Sequence, residues 1–328
     1  MIKLVIGIVL SVVFIYFSMR GLQYDHILQS LEHVQYIYLL PASLLFFSLS
    51  ILRSLRWGLI LSPIKHIKQK KLLPICSVGF MSVVLLPMRI GELMRPWMIS
   101  ANKYMPFSSV LATIFVERVF DVITVLGIFF IVMINSSLPP WFVKSGYSAL
   151  LAFAAMILFM CFLYFRTKTA LTLLGPVLRR LPSGLQTKIE HLIYNFVDGF
   201  RIIASPGVLI GTILLSIMIW AVSGAGIYVL FHFHNFQLPF LAAYAVLVIT
   251  VMGISLPTAP GMLGNFQFSC IVALSLYGLS KDDAFVFSMV YYFVGIGIVI
   301  LTGLVFLPFT DFSLKEAIRN LKKSPDTK

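Results

Sequence analysis

Between Arg201 and Lys281 lie 79 residues without a single Asp, Glu, Lys or Arg. Soluble domains carry about a quarter charged residues. A soluble fold would have nothing to turn toward water over that length. A bilayer crossing takes about 20 apolar residues, so residues 202–280 hold about three or four crossings. The whole chain is 59% hydrophobic and 11% charged, which extends the reading to its full length. Membrane β-barrels alternate apolar and polar residues. These segments are continuously apolar, so the expected fold class is all-α, a polytopic transmembrane helix bundle.

Six uninterrupted spans are predicted: residues 2–19, 37–60, 107–134, 148–165, 207–231 and 284–308. No small-residue cleavage site precedes Arg20, so residues 2–19 read as a retained helix rather than a signal peptide. Two further apolar segments are broken by helix-ending residues. Residues 72–106 carry Pro74 and Pro87, and residues 239–279 carry Pro257, Pro260, Gly261 and Gly264. Both read as re-entrant hairpins or bent helix pairs. Residues 185–203 alternate apolar and polar positions at helical spacing, which predicts an amphipathic interfacial helix. Residues 309–328 form a basic tail.

The net charge of +13 sits between apolar segments, not on a compact basic module. It reads as topology charge facing anionic lipid rather than as a nucleic-acid surface. Lys and Arg concentrate in residues 61–71, 166–206 and the tail. The alternate loops carry only Arg20, Lys144 and Lys281. The positive-inside rule then puts both termini in the cytoplasm of a cell with the chain in its inner membrane. Cys76, Cys161 and Cys270 are scattered through apolar segments and indicate neither disulfides nor a metal. His232 and His234 on a short loop read as interfacial, with metal binding the weaker alternative.

Each half of the chain reads span, broken segment, span. Paired Pro/Gly-interrupted segments are a pointer to an inverted repeat with a transporter's binding site between its halves. The rival reading is two unrelated proline kinks.

Charges at membrane depth carry the chemistry. Arg89, Glu92 and Arg95 recur at a spacing of three in "LPMRIGELMRP"; Glu117, Arg118 and Asp121 lie within one turn of "FVERVFDVI". One unpaired charge near the bilayer centre costs at least about 2.5–3.5 kcal/mol. The two sets balance to zero, so they are expected to meet and line a polar cavity. Arg89 and Arg95 are the expected phosphate ligands, since a guanidinium fork donates two hydrogen bonds to an oxyanion. A purely structural ion network is the alternative. The second break, "LPTAPGMLGNFQ", offers backbone groups, Thr258, Asn265 and Gln267. It reads as an anion-binding helix end or as a tight interhelical turn.

Four motifs occur in order: "RW" at Arg56 and Trp57, "PMRIGELMRP" at 87–96, "ERVFD" at 117–121 and "PTAPGMLGNFQ" at 257–267. Together they resemble the lysylphosphatidylglycerol synthase transmembrane region, also called the flippase-like or UPF0104 family. The resemblance implies a lipid-flipping role. It carries the family's Arg/Glu motif onto Arg89, Glu92 and Arg95, and its E-R-x-x-D motif onto Glu117, Arg118 and Asp121. Its P-G-G-x-G-x-x-E motif falls on 260–267, with Met262 in place of the second glycine and Gln267 in place of the acid.

The expectation is a non-enzymatic lipid flippase or transporter without cofactor. It would move a phosphate-bearing lipid whose head enters a cleft between the two broken segments. Its partners would be anionic membrane lipids. The alternative is an accessory subunit that presents lipid to a separate glycosyltransferase or other envelope-biosynthesis enzyme.

Overall fold

The structure, a computed structural model, describes residues 2–23, 34–135, 205–255 and 260–310, with scattered positions in 25–32 and 140–158 and at 194. Most of the predicted span 148–165, nearly all of the amphipathic segment 185–203, and the tail beyond residue 310 lie outside the described residues.

Among the described residues every regular element is helical. The helices are α1 (Ile2–Met19), α2 (Leu39–Leu61), α3 (Gln69–Leu85), α4 (Met94–Ala101), α5 (Phe107–Asn135), α6 (Pro206–Phe233), α7 (Phe240–Ser255), α8 (Asn265–Ser275) and α9 (Lys281–Phe306). Short 3-10 turns cover Pro87–Leu93 and Pro260–Met262. Among the described residues three stretches are long and apolar enough to cross a membrane: Tyr36–Leu61, Pro206–Phe233 and Lys281–Phe309. Helix α5 is as long as these, 29 residues, but carries the charges of "ERVFD" along its middle.

The breaks at Pro87 and at Gly261–Gly264 are present, but Pro74, also expected to interrupt its segment, lies inside α3 without ending it. Leu86 precedes Pro87 and is extended (φ −89°, ψ 140°), as the steric clash with a following proline ring demands. That ends α3. The second break reverses the chain through left-handed backbone at Gly261 (φ 78°), Met262 (φ 59°) and Gly264 (φ 85°). Only glycine occupies that region without steric cost. The second-glycine position of the family motif therefore needs positive φ, and here Met262 adopts it.

Packing follows the division into halves. Helix α2 lies along α6, α3 along α9, and α5 along α7. Exchanging α2–α5 for α6–α9 leaves this list unchanged. The same exchange turns α2·α3 into α6·α7, α4·α5 into α8·α9, and α2·α9 into α6·α5, all of which also pack together. The two 3-10 turns touch each other, so the interruptions meet inside the bundle. Helix α1 lies across α8 and the first turn. There Phe14 meets Phe268 at 4.9 Å, and Lys281 Nζ donates to the Phe17 and Arg20 carbonyls at the end of α1.

Candidate functional site: a buried guanidinium–carboxylate cluster

Helix α5 presents Glu117 and Asp121 on one face, four residues apart. Glu117 has no exposed surface. It accepts from Arg95 Nη1 on α4 at 2.8 Å and from Arg118 Nη2 at 2.8 Å. It also pairs with Arg56 Nη2 on α2 at 3.1 Å. Asp121 accepts from Arg56 Nη1 at 2.6 Å and from Trp220 Nε1 on α6 at 3.2 Å. Arg118 Nη2 lies 3.2 Å from its other oxygen. Ser216, one turn from Trp220, accepts a second bond from Arg56 Nη1 at 3.0 Å. One network thus ties α2, α4, α5 and α6.

Aromatic faces support the cations. The Arg95 guanidinium lies over Phe80 at 4.6 Å and over Trp57 at 5.1 Å. Trp57 is fixed by its own bond to Thr113 at 3.2 Å. Arg53, one turn before Arg56, lies over the same Phe80 ring at 4.8 Å. Ring quadrupoles attract cations more strongly once water is excluded.

The sequence-predicted residues are partly assembled. Arg95, Glu117, Arg118 and Asp121 come together as expected. Glu92 lies on the first 3-10 turn and is half-buried. The backbone of Arg89 belongs to that turn, but its side chain lies outside the described residues. Pro257 also lies outside them, as does the ring of Pro260. Gly261 and Gly264 supply the reversal of the second break. Gln267 caps it: its Oε1 accepts the Gly264 amide hydrogen at 2.8 Å. A neutral amide thus provides the acceptor that the family's carboxylate would provide.

Sequence reasoning missed Arg53, Arg56, Ser216 and Trp220 as site residues. The available signal was two arginines three apart inside the otherwise apolar segment 37–60. Their arrival changes the charge. Among the described residues the site holds Arg53, Arg56, Arg95 and Arg118 against Glu92, Glu117 and Asp121, a net excess of one cation rather than balance. Arg53 makes no ion pair among the described residues, and it is only half-buried. In addition, Nε of Arg56, Arg95 and Arg118 is enclosed with no hydrogen-bond acceptor. Such donors are rarely left unmet in folded proteins. The arrangement is a preformed set of buried cationic donors, three of whose Nε groups have no acceptor among the described residues.

The profile of the family described as "Lysylphosphatidylglycerol synthase TM region" matches residues 4–321. The chain belongs to this family of membrane proteins. A UPF0104 membrane protein of Methanocaldococcus jannaschii is 22% identical over 238 residues, which cover 71% of this chain and 93% of that protein. No solved structure matches the chain.

Proposed function

We propose that this family member is a lipid flippase or transporter that moves a phosphate-bearing lipid across the cytoplasmic membrane. The carrying observation is the cationic excess of the buried cluster, with Arg53 unpaired at its edge. An anionic head group would supply the missing charge; arginine's planar fork suits phosphate. Arg53 and Arg118, the more accessible cations, would bind the head, joined by Arg89 from the first break. Arg56 and Arg95 are committed to Glu117 and Asp121 and would hold the site in shape. This assignment moves Arg95 from ligand to support.

Two broken helices in matching halves support alternating access, in which one half rocks against the other around a central site. The exchange-symmetric packing of α2–α5 and α6–α9 agrees with such a repeat. The Lys/Arg-rich loops keep both termini on the cytoplasmic side in this reading.

The test uses purified full-length protein in vesicles containing a leaflet-labelled anionic phospholipid. Labelled lipid should change leaflets faster than in empty vesicles. Arg53→Gln should abolish the acceleration while thermal unfolding stays near that of the parent, because Arg53 holds no ion pair. Equal rates in parent, variant and empty vesicles would refute transport. Retained binding without movement would instead favour the lipid-presenting accessory role.

A further inference from the structure

Helices α2 and α9 flank a crevice of about 320 Å³. Ser43, Leu44 and Phe47 line one side, and Ile298, Leu301 and Thr302 are on the other. Leu44, Phe47 and Leu301 face outward from the bundle. In a membrane-spanning chain that surface meets acyl chains. Thr302 is no polar lure, since its hydroxyl is spent on the Ile298 and Val299 carbonyls of its own helix.

An apolar crevice in a bilayer gains nothing from the hydrophobic effect, because lipid tails are as apolar as leucine. It holds one tail in preference to others only by packing, or because the head of that lipid is fixed nearby. Here a cationic anchor is near. Gly303 follows Thr302, and a side chain at Gly303 would collide with Met81 of α3, so α9 and α3 are in close contact at this level. Phe80, next to Met81, carries both Arg53 and Arg95 on its ring. Along α2, Arg53 is six residues past Phe47, about 9 Å of rise and about 120° around the helix. An acyl chain is longer than that rise, so a lipid with its phosphate at Arg53 could lay a tail around α2 into the crevice.

We propose that the α2–α9 crevice is the tail site for the transported lipid, occupied by one acyl chain of a glycerophospholipid whose head is held at Arg53. This rests on the transport reading above and deepens it. Head and tail would then be bound by separate elements. The guanidiniums would read the phosphate, and the crevice would read the length and shape of the chain.

The experiment places a benzophenone amino acid at Leu44, with a control at Ile217 on the outward face of α6. Full-length protein is held in vesicles of phosphatidylglycerol and diacylglycerol and irradiated, and the adducts are identified by mass. Position 44 should capture phosphatidylglycerol several-fold over its bulk share, and position 217 should mirror the bulk. Arg53→Gln should return position 44 to bulk composition. Bulk composition at position 44 in the parent would overturn the proposal, and so would adducts to a second copy of the chain. Transport separates this from the broader reading. Leu44→Trp, which narrows the crevice from its outer edge without touching the core, should slow long-chain phosphatidylglycerol but leave a short-chain analogue unaffected. If Arg53→Gln abolishes transport and Leu44→Trp does not, the tail site is wrong and the head site stands. If neither matters, both fall.

Discussion

The two interruptions do the same mechanical job by opposite chemistry. Each ends a helix inside the bundle and lets the next begin. The first is charged: Arg89 and Glu92 lie on its 3-10 turn, and Arg95 follows on α4, locked to Glu117. The second is neutral: left-handed glycines reverse the chain, and a Gln267 amide caps the helix that follows. The charged break needs partners from α2, α5 and α6 before it can be buried at all. Among its described residues the neutral break is held by one bond of its own, Gly264 to Gln267, and by one from α9, where Tyr292 donates to the Gly261 carbonyl at 2.7 Å. It is free to act as the surface against which the first break and α1 rest.

That contrast is most sharply tested at Glu117. Three guanidiniums converge on this carboxylate. Removing one partner of a buried ion pair costs about 3–5 kcal/mol, because the other charge stays behind unpaired. Glu117→Gln should lower the thermal midpoint in detergent more than any single change at the second break. A midpoint shift no larger than that of Gln267→Ala would mean that the charges are solvated and the comparison false.

The glycines come next. A methyl group at Gly91 would meet the Ser82 carbonyl and Val83 nitrogen at about 2.1–2.2 Å. Both are backbone atoms of α3 and cannot step aside. At Gly264 it would meet the Ser11 carbonyl at 2.5 Å, in a conformation with φ of 85°. Overpacking of this kind costs about 1–3 kcal/mol. Gly91→Ala should push the first break off α3 and impair lipid movement. Gly264→Ala should chiefly loosen α1, read as faster proteolysis near residues 20–23. Equal transport defects from both would erase the assigned difference. Gln267→Ala removes one buried acceptor and should cost about 1 kcal/mol of stability, seen as a small drop in the thermal midpoint, with transport retained.

The helices and breaks were legible from sequence because they depend on local signals. Continuous apolar runs gave α2, α5, α6 and α9 to within a few residues, and Pro87 and Gly261–Gly264 gave the interruptions. The cluster was legible only in part. Glu117, Arg118 and Asp121 announce themselves as charges in an apolar run. Arg56 does not reveal that it will meet Asp121, 65 positions away, and Ser216, 160 away. Those contacts come from how α2 lies on α5 and α6, which no window of sequence contains. Arg53 was hidden the same way: the apolar average of residues 37–60 absorbs its charge. The left-handed backbone at Met262 was equally hidden, since methionine gives no turn signal. Only the resemblance, with glycine at that place, marked it.

The smallest expected effect lies outside both breaks, at the end of α6, and provides a control on them. His234 packs against Phe236 at 5.2 Å and Phe287 at 5.4 Å, and its Nε2 is enclosed without a partner. Burial among these rings pushes the imidazole down to about 4, against a weaker opposing pull from Asp283. The folded protein therefore keeps His234 neutral where the unfolded chain would bind a proton. Between the ordinary histidine value of about 6.5 and about 4, the unfolded state holds more protons, so stability falls as pH drops through that window and is flat above it. His234→Phe should remove this part of the slope and leave lipid movement at neutral pH unchanged. A pH slope that survives in His234→Phe but vanishes in Glu117→Gln would shift the acid sensitivity into the guanidinium cluster, and with it the view that these charges stay paired throughout.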